Sequence, residues 1–420
     1  MLYTRRLIEK QLEKALDASG SVFIKGVKAC GKTETALRFA KSEINLQKDP
    51  RNRFLAEVSP DDILQGDTPR LIDEWQEVPS IWNQIKIETD NRKAKGQFIL
   101  TGSATLKNKN KLHSGAGRII TIAMSTLSWV ELGYSNSSAS LKSLLTSNRV
   151  HPKQNKTELK TILERMVIGG WPTLIGQTEE TATIVNSSYI DLLLSDDISH
   201  VAGIKRNKSK AEKILKSLSR NIASPVEIST IASDIIPSIV ESKTTISRQT
   251  ASGYLDDLKR LMILVEQPAW NVHIRSTANL RTTPKKHLVD TSLVCASLGL
   301  SSKSLLNDLN FSGLLFESLV FHDMTIYASI NDAKASYYRD SFGREVDMIV
   351  EKRDGSWSAF EVKLGDVEID LAAEKLLSFV KNIHTQKSKS PSSLNIITGT
   401  GLAYTRSDGI NVLPLSVLGP

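Results

Sequence analysis

Eight consecutive residues near the amino terminus have the types and the spacing of a phosphate-binding loop. They are Gly26, Val27, Lys28, Ala29, Cys30, Gly31, Lys32 and Thr33, which satisfy the pattern G-x-x-x-x-G-K-[ST]. The glycines let the backbone wrap a phosphate, and the amide groups of the loop and of the following helix point their positive ends towards it. Lys32 is placed to reach the β- and γ-phosphates, and the Thr33 hydroxyl is placed to hold Mg²⁺. The pattern predicts a site for a nucleoside triphosphate, with ATP and Mg²⁺ as ligands.

A pair of acidic residues, Asp73 and Glu74, follows directly after a short predicted strand over residues 69–72. At the carboxyl end of such a strand, Asp73 can hold Mg²⁺ through a water molecule and Glu74 can polarise the attacking water. The alternative is that both carboxylates cap the N-terminus of a helix over residues 77–89. The position between two predicted strands favours the catalytic interpretation.

Hydroxyl side chains follow the next predicted strand, which covers residues 96–100. A hydroxyl at this place would lie beside the γ-phosphate and could sense it. Thr101 and Ser103 are both candidates, and we favour Ser103.

Predicted strands and helices alternate through the first part of the chain. Strands are expected over residues 21–24, 53–58, 69–72, 96–100 and 119–123, and a helix over residues 33–44. This alternation predicts an α/β fold with an open, mostly parallel sheet, which binds the nucleotide at the carboxyl ends of its strands.

Residues 1 to about 135 resemble the AAA+ ATPases, through the loop, the Asp73-Glu74 pair, the hydroxyl position and Arg118. The resemblance implies an ATPase of the P-loop NTPase fold. In that family an arginine just before the fifth strand commonly acts on the γ-phosphate of a neighbouring subunit, so Arg118 is the candidate for this role. The alternative is a structural arginine that anchors the glycine-rich turn at residues 115–117. If Arg118 acts on a neighbour, the working form is a homo-oligomer.

A second set of charged residues lies near the carboxyl terminus. A predicted strand over residues 345–350 carries Asp347, and the next strand carries Glu361 and Lys363. Side chains two residues apart share one face of a strand, so Glu361 and Lys363 lie together, and Asp347 joins them if the strands are neighbours. Two carboxylates and a backbone carbonyl can hold Mg²⁺ while a lysine positions or deprotonates water for attack on phosphorus. The alternative is a Glu–Lys pair on the surface of an edge strand.

Residues 305 to about 400 resemble the PD-(D/E)XK nuclease fold. Asp347 and the later Glu361-Val362-Lys363 match its two-part motif, and Glu317, on a predicted helix, matches the glutamate that many members add. The resemblance implies a small α/β restriction-endonuclease-like domain, with Glu317, Asp347 and Glu361 as metal ligands and Lys363 as a catalytic residue. The fold can also be present and serve only for binding.

The middle of the chain is basic. Residues 201–290 contain 15 Lys and Arg against 8 Asp and Glu, which makes this stretch +7 of the total formal charge of +8. Such a concentration favours a polyanion as partner, although a solvated lysine face is the alternative. We therefore expect DNA to bind through residues 205–281.

The pattern of elements in this basic stretch resembles a winged helix. Short helices are expected over residues 213–222 and 227–235, and a third begins after Ser247 as N-cap; a strand over residues 262–265 and a basic hairpin with Arg275 and Arg281 follow. The third helix would offer Arg248, Gln249, Thr250 and Ser252 to base edges and phosphates. The alternative is a module that links domains or binds protein.

Two lone cysteines, Cys30 and Cys295, indicate no disulfide framework, and no apolar run reaches 18 residues. We expect a cytoplasmic protein that does not span a membrane. The expected domains are an ATPase domain (1–135), a linker and helical segment (136–205), a winged-helix-like module (206–285) and a nuclease-like domain (286–420).

This order of domains resembles a broad set of prokaryotic AAA+-like ATPases whose carboxy-terminal half was long catalogued as a domain of unknown function. The turn at residues 169–172, the segment 192–198 and the strand 286–290 fit that group. Two functions remain open. The first is an ATPase that acts on DNA, with a carboxy-terminal domain that cuts or grips it. The second is a nucleotide-controlled switch that binds DNA or protein without cleaving it.

Overall fold

The structure is a computed structural model that describes residues 3–103, 115–147, 151–234, 246–270, 283–383 and 389–420. The chain divides into two compact units. The first comprises Met1–Thr126, Asp196–Arg206 and Asp257–Ile263; the second comprises Leu127–Ser195, Asn207–Asp256 and Leu264–Pro420. The basic hairpin with Arg275 and Arg281, the end of the helix predicted to reach residue 235 and most of segment 105–117 lie outside the described residues. The domain boundaries derived from the sequence stay a prediction.

The first unit is built on a five-stranded parallel sheet with the strand order β2-β3-β4-β1-β5. Its elements are α1 (Glu9–Ala18), β1 (Ser21–Gly26), α2 (Lys32–Leu37), β2 (Ser42–Asn45), α3 (Pro50–Val58), α4 (Pro60–Ile63), β3 (Arg70–Asp73), a 3₁₀ helix (Trp75–Glu77), α5 (Ile81–Arg92), β4 (Phe98–Gly102) and β5 (Ile119–Met124). Phe98, Ile99 and Leu100 are fully buried, as expected for a parallel strand that is covered on both faces. The expected parallel α/β sheet is confirmed.

Two elements of the first unit were predicted wrongly. Residues 33–44 do not form one helix, because α2 ends at Leu37 and residues 42–45 pair with β3 as the edge strand β2. Residues 53–58 are not a strand but part of α3. Asp49 caps this helix by accepting a hydrogen bond from the Arg51 amide, and Pro50 occupies its first turn, where proline is favoured.

From residue 127 onwards the chain is first mainly helical. The elements are β6 (Ala139–Ser140), α6 (Leu141–Leu144), α7 (Leu159–Ile168), a 3₁₀ helix (Pro172–Leu174), α8 (Glu179–Leu192), a π-helix (Leu193–Asp197), α9 (Ile198–Ala202), α10 (Lys208–Arg220), α11 (Ile228–Ser233), α12 (Arg248–Arg260), β7 (Leu264–Gln267), β8 (Lys285–Leu288), α13 (Thr291–Leu298) and α14 (Ser302–Asn307). Strands β7 and β8 pair in antiparallel fashion. Ser247 accepts a hydrogen bond from the Thr250 amide at 3.1 Å, which confirms it as the cap of α12.

The carboxy-terminal part holds a six-stranded mixed sheet with the order β13-β14-β12-β11-β10-β9. Its elements are α15 (Leu309–Ile330), β9 (Ala333–Arg339), β10 (Glu345–Lys352), β11 (Trp357–Lys363), α16 (Ile369–Asn382), β12 (Leu394–Thr398), β13 (Tyr404–Thr405), β14 (Asn411–Pro414), a 3₁₀ helix (Leu415–Val417) and β15 (Leu418–Gly419). Strands β9, β10 and β11 are antiparallel neighbours, and β11, β12 and β14 are parallel. The strands that carry Asp347 and Glu361 are neighbours, which was the condition for Asp347 to lie near Glu361 and Lys363.

The segment predicted as a linker contacts the carboxyl end of the chain. Strand β6 pairs with β15, and the Asn155 side-chain amide donates to the Ser416 carbonyl at 2.9 Å. Within the described residues, no helix combines the length and the apolar character needed to cross a membrane.

Candidate functional site

The phosphate-binding loop connects β1 to α2, as its sequence pattern requires. Gly31 precedes α2 with φ +97°, a left-handed conformation that glycine adopts without strain. Lys32 begins the helix and is buried, and its Nζ donates to the Val27 carbonyl at 2.9 Å. The lysine side chain therefore lies along the inside of the loop, where it can meet a phosphate.

Two other loop positions are small because of packing. A Cβ on Gly26 would lie 2.2 Å from the Met124 carbonyl oxygen, so this glycine is needed for the close approach of β5 as well as for the loop. Cys30 is fully buried, and burial raises the pKa of its thiol. A neutral buried thiol favours the interpretation of Cys30 as a small residue that fits, over that of a redox sensor.

Asp73 lies at the centre of a polar network at the carboxyl ends of three strands. Its Oδ1 accepts a hydrogen bond from the Thr33 hydroxyl at 2.9 Å and another from the Thr101 hydroxyl. Its Oδ2 accepts from the Asn45 amide at 2.6 Å. The Thr33 hydroxyl and the Asp73 carboxylate are thus side by side, a donor set that fits a Mg²⁺ ion held by Thr33 directly and by Asp73 through water.

Glu74 directly follows β3 in a left-handed conformation with φ +55°. Its carboxylate accepts a hydrogen bond from the Gln76 amide. Burial raises the pKa of Glu74, although the Gln76 hydrogen bond and the Lys32 charge act in the opposite direction. A carboxylate that is held at the end of β3 with a raised pKa suits the polarisation of water.

The hydroxyl candidates differ in their surroundings. Thr101 is buried in the Asp73 network, whereas Ser103 is half-buried at the end of β4. The role of Ser103 as a γ-phosphate sensor stays a prediction.

Arg118 lies at the amino ends of the strands, whereas the phosphate loop lies at their carboxyl ends. Strand β5 pairs in parallel with β1, and Ile119 is opposite Ser21, at the start of β1. The five residues that separate Ser21 from Gly26 span about 16 Å along a strand. Arg118 forms a 2.7 Å ion pair with Asp90. Its action on the nucleotide of a neighbouring subunit stays a prediction, and this position gives it no access to the nucleotide of its own loop.

Asp197, the last residue of the π-helix, forms a 3.3 Å ion pair with Lys28 of the phosphate loop. Both residues belong to the first unit.

The structure also brings together the carboxylates that were predicted near the carboxyl terminus. Asp347 and Glu361 are neighbours across the β10–β11 pair, since Met348 is opposite Phe360 and the Val362 amide donates to Asp347 Oδ2 at 2.9 Å. Glu361 is fully buried, and neither of its carboxylate oxygens accepts a hydrogen bond within the described residues. Burial and the Asp347 charge raise the pKa of Glu361, while Lys375, 3.5 Å from Oε2, lowers it.

A lysine that sequence analysis missed lies among these acidic residues. Lys285, on β8, places its Nζ 2.7 Å from Glu317 Oε1, 2.8 Å from Glu345 Oε1 and 3.7 Å from Asp347 Oδ1. Burial lowers the pKa of Lys285, but the three carboxylates together outweigh burial and raise it. We call Glu317, Glu345, Asp347 and Glu361 the carboxylate cluster.

Burial, together with the Asp347 and Glu345 charges, raises the pKa of Glu317 to about 7 despite the opposing Lys285. Lys363, predicted as catalytic, has its Nζ 3.6 Å from Glu368. Within the described part of the chain, no group of three or more His, Cys, Asp or Glu side chains is arranged to hold a metal ion. In this arrangement the cluster holds the Lys285 ammonium group, and its side chains do not fit a metal ion in addition. The assignment of Glu317, Asp347 and Glu361 as metal ligands stays a prediction.

An open cleft of about 720 Å³ borders the carboxylate cluster. Its lining includes Lys285, Glu317 and Asp347, together with the cationic side chains of Arg339, Arg344 and Lys375. The cleft therefore has an acidic centre with basic residues around it.

Three family models match separate parts of the chain, each covering less than half of it. Residues 18–133 match an AAA domain, residues 159–304 match a domain of unknown function (DUF8612), and residues 312–418 match a second domain of unknown function (DUF4143). With the loop and the Asp73 network, the first match supports an ATP-binding P-loop domain that is similar to AAA domains.

Two proteins that are similar in sequence have names that state no activity. An uncharacterized protein of Haemophilus influenzae is 24% identical over 351 residues, which are 83% of this chain and 74% of that one. An uncharacterized protein of Mycobacterium tuberculosis is 23% identical over 372 residues, which are 86% and 74% of the two chains.

Two solved structures are similar at a low level. The Orc1 protein of Aeropyrum pernix in complex with DNA has a TM-score of 0.26 at 11% identity, over 71% of this chain and 93% of that one. A DNA replication initiation factor has a TM-score of 0.23 at 14% identity, over 60% and 87%. Scores this low carry no argument about this chain.

Proposed function

We propose that the protein hydrolyses ATP with Mg²⁺ at the loop between β1 and α2. The observation that carries the proposal is the network in which Asp73 binds the Thr33 hydroxyl while Glu74 follows it at the end of the same strand. Thr33 and Asp73 would hold the metal ion, which neutralises phosphate charge when it is bound. Lys32 would hold the β- and γ-phosphates, and Glu74 would orient the attacking water.

Replacing Glu74 with glutamine should stop hydrolysis and leave ATP binding in place. The amide keeps the shape of the side chain but cannot accept the developing proton, so we expect kcat to fall by about 100-fold or more. The measurements are steady-state phosphate release and the affinity for ATP. Glu77→Gln, which changes a neighbouring carboxylate that pairs with Arg53 at 3.6 Å, is the matched control. Equal turnover of Glu74→Gln and wild type would remove Glu74 from the mechanism.

We propose further that the middle of the chain is a winged-helix module that binds DNA. Helices α10, α11 and α12 are followed by the antiparallel β7–β8 ribbon, and Ser224, between α10 and α11, adds an isolated bridge to Lys286. This order of helices and strands supports a winged helix. The exposed Arg248 and Gln249 at the start of α12 are then available to phosphates and base edges.

The measurement for this proposal is DNA affinity as a function of salt. Each phosphate contact contributes about 0.9 to the slope of log affinity against log salt, so Arg248→Ala should make the slope shallower by about one. Lys303→Ala, which removes an exposed cation from α14, should leave the slope unchanged. Wild-type affinity without salt dependence would contradict the proposal.

For the carboxy-terminal domain, we propose binding without cleavage. A nuclease needs its carboxylates free to hold Mg²⁺, and here Glu317 and Asp347 face the Lys285 ammonium. The αβββαβ order from α15 to β12 supports the nuclease-like fold itself. A metal-dependent nuclease is the second candidate function, supported by the adjacency of Asp347 and Glu361.

A further inference from the structure

We propose that Lys285 is the resident cation of the carboxylate cluster, and that its ammonium group excludes a divalent metal ion which the same carboxylates would bind in its absence. The inference concerns cation binding in the second unit and does not depend on ATP hydrolysis.

The first support is the position of the ammonium group. Lys285 Nζ is within 2.8 Å of both Glu317 and Glu345 and 3.7 Å from Asp347. The first two distances are those of charge-assisted hydrogen bonds, whereas Mg²⁺ requires oxygen atoms at about 2.0–2.1 Å. A metal ion at this point would meet the lysine at a distance where two cations repel strongly.

The second support is that Lys285 is held in place from outside the cluster. It lies on β8, where it pairs with Gln267 of β7, and the next residue, Lys286, donates from its Nζ to the Val226 carbonyl at 2.6 Å. Only 2% of the Lys285 side chain is exposed. A metal ion would therefore have to displace a buried ammonium group from its acidic partners.

The third support is that one ammonium group serves three carboxylates. Glu317, Glu345 and Asp347 share Lys285. Two other cations lie at the border of the cluster, Arg339 at 3.7 Å from Glu345 Oε2 and Lys375 at 3.5 Å from Glu361 Oε2. Glu361 is fully buried beside Asp347, and its two carboxylate oxygens accept no hydrogen bond within the described residues. Without Lys285, the side chains of Glu317, Glu345 and Asp347 would lose their shared cation, and a metal ion would require them to close around it; carboxylate oxygens are the ligands that a hard divalent cation prefers.

The test is a count of bound Mn²⁺ in the full chain without nucleotide, by the electron paramagnetic resonance signal of free Mn²⁺. Any Mn²⁺ at the phosphate loop contributes equally to all variants. We expect Lys285→Met to bind one Mn²⁺ more per chain than wild type, and Asp347→Asn in that background to remove it. Lys285→Met should also lower the melting temperature by roughly 5–10 °C, and added Mn²⁺ should reverse most of this decrease.

Lys334→Met is the matched control, because Lys334 is an exposed lysine of β9 in the same sheet, and it should bind Mn²⁺ as wild type does. A folded Lys285→Met variant that binds no more Mn²⁺ than wild type would overturn the proposal. Lys285→Gln, which keeps a polar side chain, is the second variant if Lys285→Met does not fold. Asp347→Asn in the wild-type background gives a second, independent test. If this variant binds one Mn²⁺ less than wild type, the metal ion and Lys285 coexist in the cluster and the proposal is wrong. If both bind the same number of Mn²⁺ ions, exclusion by Lys285 is supported.

Discussion

Replacing Lys32 with alanine should remove ATP hydrolysis and most of the affinity for ATP. Lys32 is the buried cation of the loop, and its Nζ lies on the inside, 2.9 Å from the Val27 carbonyl. A charge-assisted hydrogen bond to a phosphate contributes about 1.5–3 kcal/mol, so ATP affinity should fall about 10- to 100-fold. The loss of charge stabilisation in the transition state should lower kcat by at least a further 100-fold or so. Phosphate release and a binding titration measure the two effects.

Lys28→Ala is the matched control for this experiment, because it makes the same substitution four residues earlier in the same loop. Lys28 is more than half exposed and forms an ion pair with Asp197, an interaction that contributes about 0–1 kcal/mol. In the proposed site, position 28 would contact the nucleotide through its backbone, which alanine keeps. Lys28→Ala should therefore retain ATP binding, and a Lys32→Ala variant that binds ATP as tightly as wild type would mean that the phosphates bind elsewhere.

Replacing Asp290 with alanine should destabilise the second unit by about 3 kcal/mol. Asp290 is buried and caps α13 by accepting a hydrogen bond from the Ser292 amide at 2.9 Å. Its other oxygen accepts from the Gly170 amide at 2.9 Å. Loss of an N-cap costs about 1 kcal/mol, and an orphaned buried donor costs about 1–3 kcal/mol. Denaturant unfolding measures the total, and amide exchange of the 166–171 segment reports the local loosening.

Asp308→Ala separates the cap from the buried contact. Asp308 caps α15 through the Phe311 amide at 3.0 Å, but it is exposed. Its removal should cost only about 1 kcal/mol. If Asp290→Ala is no more destabilising than Asp308→Ala, the bond to Gly170 contributes nothing to stability.

Local patterns were sufficient to place the residues of the predicted ATP site on their elements. The loop residues are contiguous between β1 and α2, Asp73 ends β3 and Glu74 follows it, as periodicity and spacing had indicated. Their roles stay a prediction. The errors came where local signals are ambiguous. Residues 42–45 continue a helical pattern in the sequence, and only pairing with β3 makes them a strand. Asn45, at the end of that strand, could not be assigned to the Asp73 network for this reason.

Lys285 was missed because its role depends on tertiary structure. It lies outside both parts of the nuclease-like motif, on a strand whose partner is β7, and no spacing rule connects it with Glu317 or Glu345. The two strands that carry the motif residues are neighbours in the sheet, but the nuclease assignment of the motif stays a prediction. Strand alternation placed Lys363 near Glu361, and although burial raises the pKa of the Glu361 carboxyl, the Lys363 charge does act to lower it. The pattern did not reveal that Lys363 also lies 3.6 Å from Glu368.

A calorimetric titration of ATP with Mg²⁺ into the purified chain tests the central claim, that the loop between β1 and α2 binds a triphosphate. The account predicts saturable heat with one ATP per chain and a melting temperature that rises with ATP concentration. No heat together with an unchanged melting temperature would contradict it.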